Sequence, residues 1–527
     1  MHYVIGSGPA GVAAASALLD RGLDVTMLDV GEECDPDRLA AVTRIAATRA
    51  PEQWTREDFR TFRGDSTEQP AGSFPIKRMF GSDFAYAADD DELRQIGTSC
   101  VRSHAKGGLS NVWGAAVLPN LAADLDDWPV TLDDLKPHYA RVAQLMPVAG
   151  AADDLEGPFP FYERPAPPLR PSRLAAVMLA RMRGNRERLS KAGLRFGQSR
   201  LAVRTDDESG RGCQYTGLCL SGCPYFAIWN SATVVNSLRQ NPRFTYQPGW
   251  HVDRIEPASA GVRLIATRVG ASDPVSFEAR HAFVACGPIA TMRVVIDSLR
   301  AYDRSFSLRF QPYFLLPFVA LDHTADVEHE RLHTLAQIFM ELVDPAVSSH
   351  TVHLQVYTFN PLMAERLQRA TAWLGPLRPA VKRALLGRLM AVQGYLHSSE
   401  APPIRVTASL QPGRTRLTLT AEPDARVQRI IGRVRRALRR NAAGIGAIPL
   451  ALFQQIGRPG DGNHVGAAFP MRRTPGEFET DSEGQLPGLR NVHLVDAISL
   501  PSLAATTFTY TTMANAHRIA DAVARRG

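Results

Sequence analysis

No run of about 18 uncharged apolar residues occurs anywhere in the chain, so no membrane-spanning helix is expected. Internal repeats and low-complexity tracts are missing too, which sets aside solenoids and compositionally disordered tails. Cysteine is scarce: six in 527 residues, too few for a disulfide-built scaffold. The basic stretches lack the interleaved aromatic residues of a nucleic-acid interface, so no nucleic-acid partner is expected. The first residues, Met1-His2-Tyr3-Val4-Ile5-Gly6, enter a strand at once and leave no room for a charged n-region and an apolar h-region. The expectation is a chain without a secretory signal, located in the cytoplasm.

What is present is ordinary in bulk. A hydrophobic fraction of 45% with 21% charged residues fits a globular protein, and the length supports two or three domains. The net charge of +7 comes mostly from arginine. Its densest stretch is Arg426–Arg440, where Val427, Ile430, Ile431, Val434 and Leu438 share one helical face and the arginines take the other. An anionic partner, such as a membrane surface or a redox protein, is one reading; the solvated face of a surface helix is the favoured one. The segment from Leu362 to Leu396 is also basic and amphipathic, with the same two readings.

The opening reads as a strand over Tyr3–Ile5, a glycine turn, a helix from about Ala10 to Asp20, and a strand from about Val25 to Leu28. Gly6-Ser-Gly8-Pro-Ala-Gly11 sits between the first strand and the helix, the context that gives this motif meaning. Gly6 permits the tight turn, Gly8 lets the backbone approach a pyrophosphate, and Gly11 allows close helix–strand packing. The helix N-terminus presents free N–H groups to phosphates. Asp29 ends the second strand, 23 residues after Gly6, where a carboxylate can accept from a ribose hydroxyl. A dinucleotide site follows, but the motif alone does not choose between FAD and NAD. A second strand-to-glycine step lies at His281-Ala-Phe-Val-Ala-Cys-Gly287, followed by a helix from about Ala290. From about Ser305 to Thr420 apolar alternation recurs, as in Val352-His-Leu-Gln-Val-Tyr-Thr and Arg405-Val-Thr-Ala-Ser-Leu, which predicts an antiparallel sheet.

Further motifs carry a resemblance. They are Lys106-Gly107-Gly108-Leu-Ser110-Asn111-Val112-Trp113-Gly114, Asp127-Trp-Pro129 with Leu135-Lys-Pro-His-Tyr139, Ala285-Cys-Gly287-Pro-Ile-Ala-Thr291, and the block from about Asn463 to Ala520. Together they resemble the glucose–methanol–choline (GMC) flavoproteins, nearest to bacterial sugar and alcohol dehydrogenases with a cysteine-rich loop. The resemblance implies an α/β fold: a discontinuous Rossmann-like FAD-binding domain (residues 1–35, 90–145, 200–300 and 455–527) with an inserted α+β substrate domain built on an antiparallel sheet, plus cap elements (36–89, 146–199 and 301–454). It implies FAD as cofactor, with Gly6, Gly8, Gly11, Asp29, Gly107, Gly108, Ser110, Asn111, Gly287 and Asp496 as its binding residues. Pyranose oxidases carry a flavin-linked histidine where Val112 stands, and valine forms no such bond, so the FAD is expected to be non-covalent.

Within the C-terminal block, His464 stands at the family's catalytic histidine. A neutral imidazole is suited to remove a hydroxyl proton near neutral pH. Two positions depart from the family pattern: Ala467 replaces a glycine, and Thr507 occupies the second catalytic position, normally His or Asn. A threonine hydroxyl can orient substrate but cannot act as an imidazole base. Thr506 and Tyr510 could supplement it.

Cys213-Gln-Tyr-Thr-Gly-Leu-Cys219-Leu-Ser-Gly-Cys223 gathers half of the cysteines. Three thiolates could hold a [3Fe-4S] cluster, which would imply an electron-acceptor protein, or zinc with a fourth ligand. Packed free thiols or a disulfide are the competing reading. The functional expectation is oxidation of a CH–OH group on a small-molecule substrate, a sugar or aminosugar of the aminoglycoside type, with His464 as base. Sterols or long-chain alcohols are the alternative substrates. A non-catalytic flavin or iron–sulfur electron carrier is the alternative of another class.

Overall fold

The computed structural model describes residues 1–64, 77–87, 92–205, 212–302, 304–411 and 414–526. A five-stranded parallel sheet carries the N-terminal motif, in the order Val492–Leu494, His281–Val284, His2–Ile5, Val25–Asp29, Phe244–Pro248. Every residue of His2–Ile5 is buried, as a central parallel strand covered on both faces must be. Register is direct: Val4 lies opposite both Met27 and Phe283. The alanine-rich helix Pro9–Asp20 buries Ala10 through Leu18 and packs on the final helix, Thr509–Ala524. The last helix thus lies beside the first, and the residues just before it, Thr507 among them, are carried back to the glycine turn.

A three-stranded antiparallel meander, Trp250–Ala258, Gly261–Arg268 and Pro274–Ala279, is inserted between two strands of the parallel sheet. The expected antiparallel sheet is present and is larger than the alternation indicated. It has seven strands, in the order Ala447–Pro449, Tyr313–Ala320, Leu389–Tyr395, Val352–Tyr357, Ile338–Leu342, Leu194–Gln198, with Gln455–Ile456 also on Tyr313–Ala320. A further five-stranded sheet joins Val465–Gly466, Ser305–Phe310, Ile404–Gln411, Arg414–Thr420 and Leu93–Ile96. Its last pairing is parallel and brings an early segment of the chain onto a sheet otherwise built from late ones.

The arginine-rich stretch forms the helix Ala425–Arg440 with Val427, Ile430, Ile431, Val434 and Leu438 buried. The basic segment after Leu362 differs from its uniform helical reading. It forms two helices, Pro361–Ala370 and Arg378–Leu386, and then turns into the strand Leu389–Tyr395. That strand finds neighbours on both sides in the sheet, which overrides the local helical pattern. No helix among the described residues is long and apolar enough to cross a membrane.

One close contact fixes how two central strands of the large sheet meet. Phe314 is fully buried and directly opposite Gly394, and a Cβ on Gly394 would lie 2.0 Å from the Phe314 ring. We expect Gly394→Ala to destabilise the protein by about 1–3 kcal/mol through overpacking, read as a lower urea midpoint. An unchanged midpoint would show that Phe314 has room to move.

Candidate active site

One continuous cavity of about 840 Å³ runs from the glycine turn to His464 and Thr507. At one end, Gly6 takes φ +98°, and a Cβ there would stand 2.4 Å from the Ala285 carbonyl oxygen. A Cβ on Gly11 would stand 2.0 Å from the Gly6 carbonyl oxygen. Gly8 differs: no protein atom lies within 4 Å of its ideal Cβ, so the space before it belongs to the cavity. Gly108, at φ +56°, has its ideal Cβ 3.7 Å from the Gly8 Cα, so the two glycine motifs line the same passage.

Polar side chains hold this end in shape. The Ser7 hydroxyl accepts from the Gly107 N–H at 2.8 Å and donates to Asp29 Oδ2, which also accepts from the Tyr246 hydroxyl at 2.8 Å. Burial pushes the Asp29 carboxyl up to about 6, with the hydrogen bonds from Ser7 and Tyr246 working against the rise. Asp496 Oδ2 accepts from the Gly287 N–H at 3.0 Å and the Thr291 hydroxyl at 2.5 Å, and its Oδ1 accepts from the Ile498 N–H at 2.9 Å. These hydrogen bonds fix the Gly287 turn against the cavity wall.

Gly6, Gly8, Asp29, Gly108, Ser110, Gly287 and Asp496 line the cavity, whereas Gly11, Gly107 and Asn111 stand behind it. Gly107, at φ +86°, packs against the Ala232 backbone, and the Asn111 amide donates to the Lys106 and Gly108 carbonyls at 2.9 and 2.8 Å. These three shape the turns and do not face the cavity. Val112 does line it, with no nucleophilic side chain at that position. The elongated passage, the side-chain-free approach at Gly8 and the carboxylate of Asp29 fit a dinucleotide such as FAD.

At the other end, the His464 ring faces the cavity and is otherwise enclosed by protein. Its Nδ1 lies 2.5 Å from Gln311 Oε1. Gln311 is buried, and its amide nitrogen donates to the Ala504 carbonyl and, at 2.9 Å, to the Thr506 carbonyl. With the amide nitrogen so occupied, the amide oxygen must face the imidazole. Nδ1 therefore carries the proton, and Nε2 is left with a free lone pair. Burial, with a smaller contribution from His353, lowers the His464 pKa to about 4, which keeps the ring neutral near pH 7. Ala467 adopts φ +53°, the left-handed region where glycine is unstrained, which accounts for glycine being usual there in the family the sequence resembles.

The Thr507 hydroxyl accepts from the Leu118 N–H at 2.9 Å, leaving its own proton free to donate into the cavity. The two residues expected to supplement it do not. The Tyr510 hydroxyl donates to the Tyr139 carbonyl at 2.8 Å, and neither Tyr510 nor Thr506 lines this cavity.

Between the ends lies a polar aromatic wall that the motifs did not indicate. Gln355 and Tyr357 on one strand, Gln393 and Tyr395 on the next, and Tyr313 on the third share a sheet face, with Gln355 opposite Gln393 and Tyr313 opposite Tyr395. The Tyr357 hydroxyl donates to Gln355 Oε1 at 2.8 Å; behind it Gln355 meets His353, which pairs with the fully buried Glu341 at 2.6 Å. Burial pushes the Glu341 carboxyl up, and His353 pulls it down. Polar residues at every second position of otherwise apolar strands were the available sequence signal. Gln311 left no such signal: it lies 153 residues before His464 and outside every motif. Lys77 also faces the cavity; burial lowers it to about 8, and its Nζ donates to the Trp113 carbonyl at 2.5 Å.

Among the described residues the cysteine loop shows no clear metal-ligand cluster. Cys213, Cys219 and Cys223 are free and border a separate small void with His333. Among the described residues, their sulfurs do not converge closely enough to share an ion. Burial pushes the Cys213 and Cys223 thiols up. Cys219 instead accepts from the Thr334 N–H at 3.4 Å. Packed free thiols are what the loop provides, and neither the iron–sulfur cluster nor the zinc reading is supported.

No protein-family model matches the chain. The whole chain superposes on pyridoxine 4-oxidase from Mesorbium loti, with TM-score 0.58, 15% identity and 98% of that chain covered. It also superposes on an FAD-dependent oxidoreductase from Chaetomium thermophilum, with TM-score 0.57, 11% identity and 99% of that chain covered. A curated relative, 6'''-hydroxyparomomycin C oxidase from Streptomyces lividus, is 27% identical over 317 residues, covering 57% of this chain and 50% of the relative. The match thus spans about half the length of that relative. Likenesses at 15% and 11% identity establish a shared fold: the chain has the fold of these two oxidoreductase structures over its whole length. The motif resemblance to the GMC flavoproteins agrees with it.

The cradle makes a discriminating prediction. We expect Gly8→Ala to fold normally yet bind FAD at least about tenfold more weakly, because its methyl group enters only the ligand's space. Gly11→Ala, which must displace the Gly6 carbonyl, should also lower the melting temperature. Flavin absorbance after gel filtration, read beside the melting temperature, checks both. Undiminished flavin in Gly8→Ala would argue against this route for the pyrophosphate.

Proposed function

We propose that the protein is an FAD-dependent enzyme that oxidises a hydroxyl on a sugar or aminosugar, with His464 as the base and Thr507 as a hydrogen-bond donor to the reacting oxygen. The observation that carries the reading is the joining, in one cavity, of the glycine cradle with an imidazole held in its proton-accepting tautomer. When bound, FAD would supply the acceptor for the hydride that leaves the carbinol carbon, and Val112 offers no nucleophile for a covalent link to it. Gly6, Gly8, Asp29, Gly108 and Gly287 would hold it. His464 Nε2 accepts the hydroxyl proton, and the Thr507 hydroxyl donates to the oxygen as negative charge gathers there. Gln311 keeps Nδ1 protonated, so the base stays aligned and available.

The substrate class rests on the wall facing His464. Tyrosine rings paired with glutamine amides offer apolar faces and fixed donors and acceptors, the combination that suits a polyhydroxylated ring more than a sterol or an alkanol. The name of the Streptomyces lividus relative supports an aminoglycoside-type hydroxyl and makes dioxygen the electron acceptor to test first.

Anaerobic addition of aminoglycosides and simple sugars should bleach the bound flavin, and readmitted oxygen should restore it with release of hydrogen peroxide. Bleaching by alkanols alone would move the substrate class, and no bleaching by any alcohol would favour a flavin electron carrier. His464→Ala should retain flavin and lose about 10²–10⁴-fold in the reduction rate. Thr507→Val should lose about 10²-fold, as for the removal of one donor to a developing oxyanion.

The base works only when neutral, so kcat/KM falls as pH drops through its pKa in the free enzyme. With that pKa lowered to about 4 by burial, the rate should hold from pH 7 down toward that value instead of falling near the ordinary histidine range. An acid limb centred roughly between 6 and 7 would point to a different base or a solvated His464.

A further inference from the structure

We propose that two apolar protrusions flanked by arginines, at residues 447–456 and 361–386, dock the protein on an anionic lipid bilayer. The edge of the large antiparallel sheet builds the first. Ala447–Pro449 and Gln455–Ile456 both pair with Tyr313–Ala320, and the chain between them leaves the sheet as the short helical turn Ala451–Phe453. That turn buries none of its residues: Leu452 is 88% exposed and Phe453 59%. Ile448 and Ile456, on the two short strands, are exposed as well. Single exposed apolar side chains are ordinary on a protein surface, but four between residues 448 and 456 form a patch.

The second protrusion is the helical pair Pro361–Ala370 and Arg378–Leu386, joined through Ala372–Leu377. Pro361–Ala370 buries none of its residues. At the tip, Trp373 is 81% exposed and Leu377 66%, and among the described residues no other tryptophan is exposed. The two protrusions flank one strand. Val319 lies opposite Ile448 on one side and, on the other, opposite Leu389, three residues after Arg378–Leu386 ends. Both also begin beside the cavity: Gln455 and Ile456 line it, as does Tyr357, four residues before Pro361.

Charge selects the partner. Residues 425–458 hold eight arginines and no acidic residue, and residues 361–386 hold five basic residues against Glu365 alone. Of these, Arg426 pairs with Glu400 and Lys382 with Glu328. Arg429, Arg436, Arg439 and Arg440 are exposed on the helix Ala425–Arg440, whose apolar face is turned inward. Arg435 of the same helix donates to Gln454 Oε1 at 3.2 Å, which places the helix beside Leu452 and Phe453. A merely solvated face explains the arginines but not the apolar tips beside them. An anionic bilayer suits both, because its headgroups take the charge and its acyl boundary takes the apolar side chains. Tryptophan favours that boundary, its ring being apolar and its N–H polar. A protein partner or a second copy of this chain would need one surface complementary to two separate protrusions, whereas a fluid lipid layer moulds to both.

Co-sedimentation of the full-length protein with lipid vesicles tests this. Binding to phosphatidylcholine vesicles with about 30% phosphatidylglycerol should be at least about tenfold tighter than to phosphatidylcholine alone, and should weaken as salt rises. Leu452→Ser with Phe453→Ser, and Trp373→Ser with Leu377→Ser, should each weaken it about tenfold, and Arg436→Gln with Arg440→Gln by about the same factor. All six positions are exposed, so the melting temperatures should stay at the wild-type value. Tryptophan emission should shift to the blue on binding, and Trp373→Phe should abolish the shift while the protein still sediments with the vesicles. No binding to anionic vesicles, equal binding to neutral ones, or full binding by both apolar double variants would overturn the proposal. So would a dimer in solution, in place of vesicle binding, that Leu452→Ser with Phe453→Ser abolishes, or binding to polyglutamate without binding to vesicles, since each assigns the surface to a protein.

Discussion

Three backbone segments meet at the end of the parallel sheet, and they meet so closely that side chains are excluded. The Gly6 turn lies against the Ala285 carbonyl, and the helix start at Gly11 lies against the Gly6 carbonyl. This contact aligns the N-terminal strand with the His281–Val284 strand, opens the helix N-terminus onto the cavity, and leaves Gly8 as the bare floor. Asp29, Ser7 and Gly107 build on it through a chain of hydrogen bonds. Without the close approach there would be no elongated passage leading to His464.

The far end of the cavity is organised by hydrogen bonding. Gln311 commits its amide hydrogens to the Ala504 and Thr506 carbonyls and its oxygen to His464, so one side chain ties the histidine to the segment that carries Thr507. A buried amide with fixed partners cannot flip cheaply, because reversing it would place donor against donor and acceptor against acceptor. The proposed base and the proposed donor are therefore positioned together. The closing helix, Thr509–Ala524, secures the arrangement by packing on the first helix.

Legibility from the sequence is uneven, and the reasons are physical. The strand, turn and helix of the glycine motif are local, and glycine at positions with no room for a Cβ is a direct imprint of close packing. The amphipathic face of Ala425–Arg440 is equally readable, because burial of one side sets its period. Leu389–Tyr395 reads as a continuation of a helical segment, yet its conformation is decided by the strands paired on either side. Membership in a motif locates a residue better than it assigns a role: Gly107 and Asn111 belong to the second glycine turn but brace it from behind.

Residue type and near-neighbour spacing were enough to locate the glycine turn, the carboxylate that follows it and the arginine-rich surface helix, whereas His464 was singled out by the resemblance of the C-terminal block to a known family. Only the folded arrangement reveals that Gln311 sets the tautomer of His464, that five tyrosines and glutamines share one wall, and that Cys213, Cys219 and Cys223 border one small void as free thiols. Periodicity reports which face of an element is buried, whereas convergence of distant side chains is set by strand pairing and register. Those depend on the whole core at once.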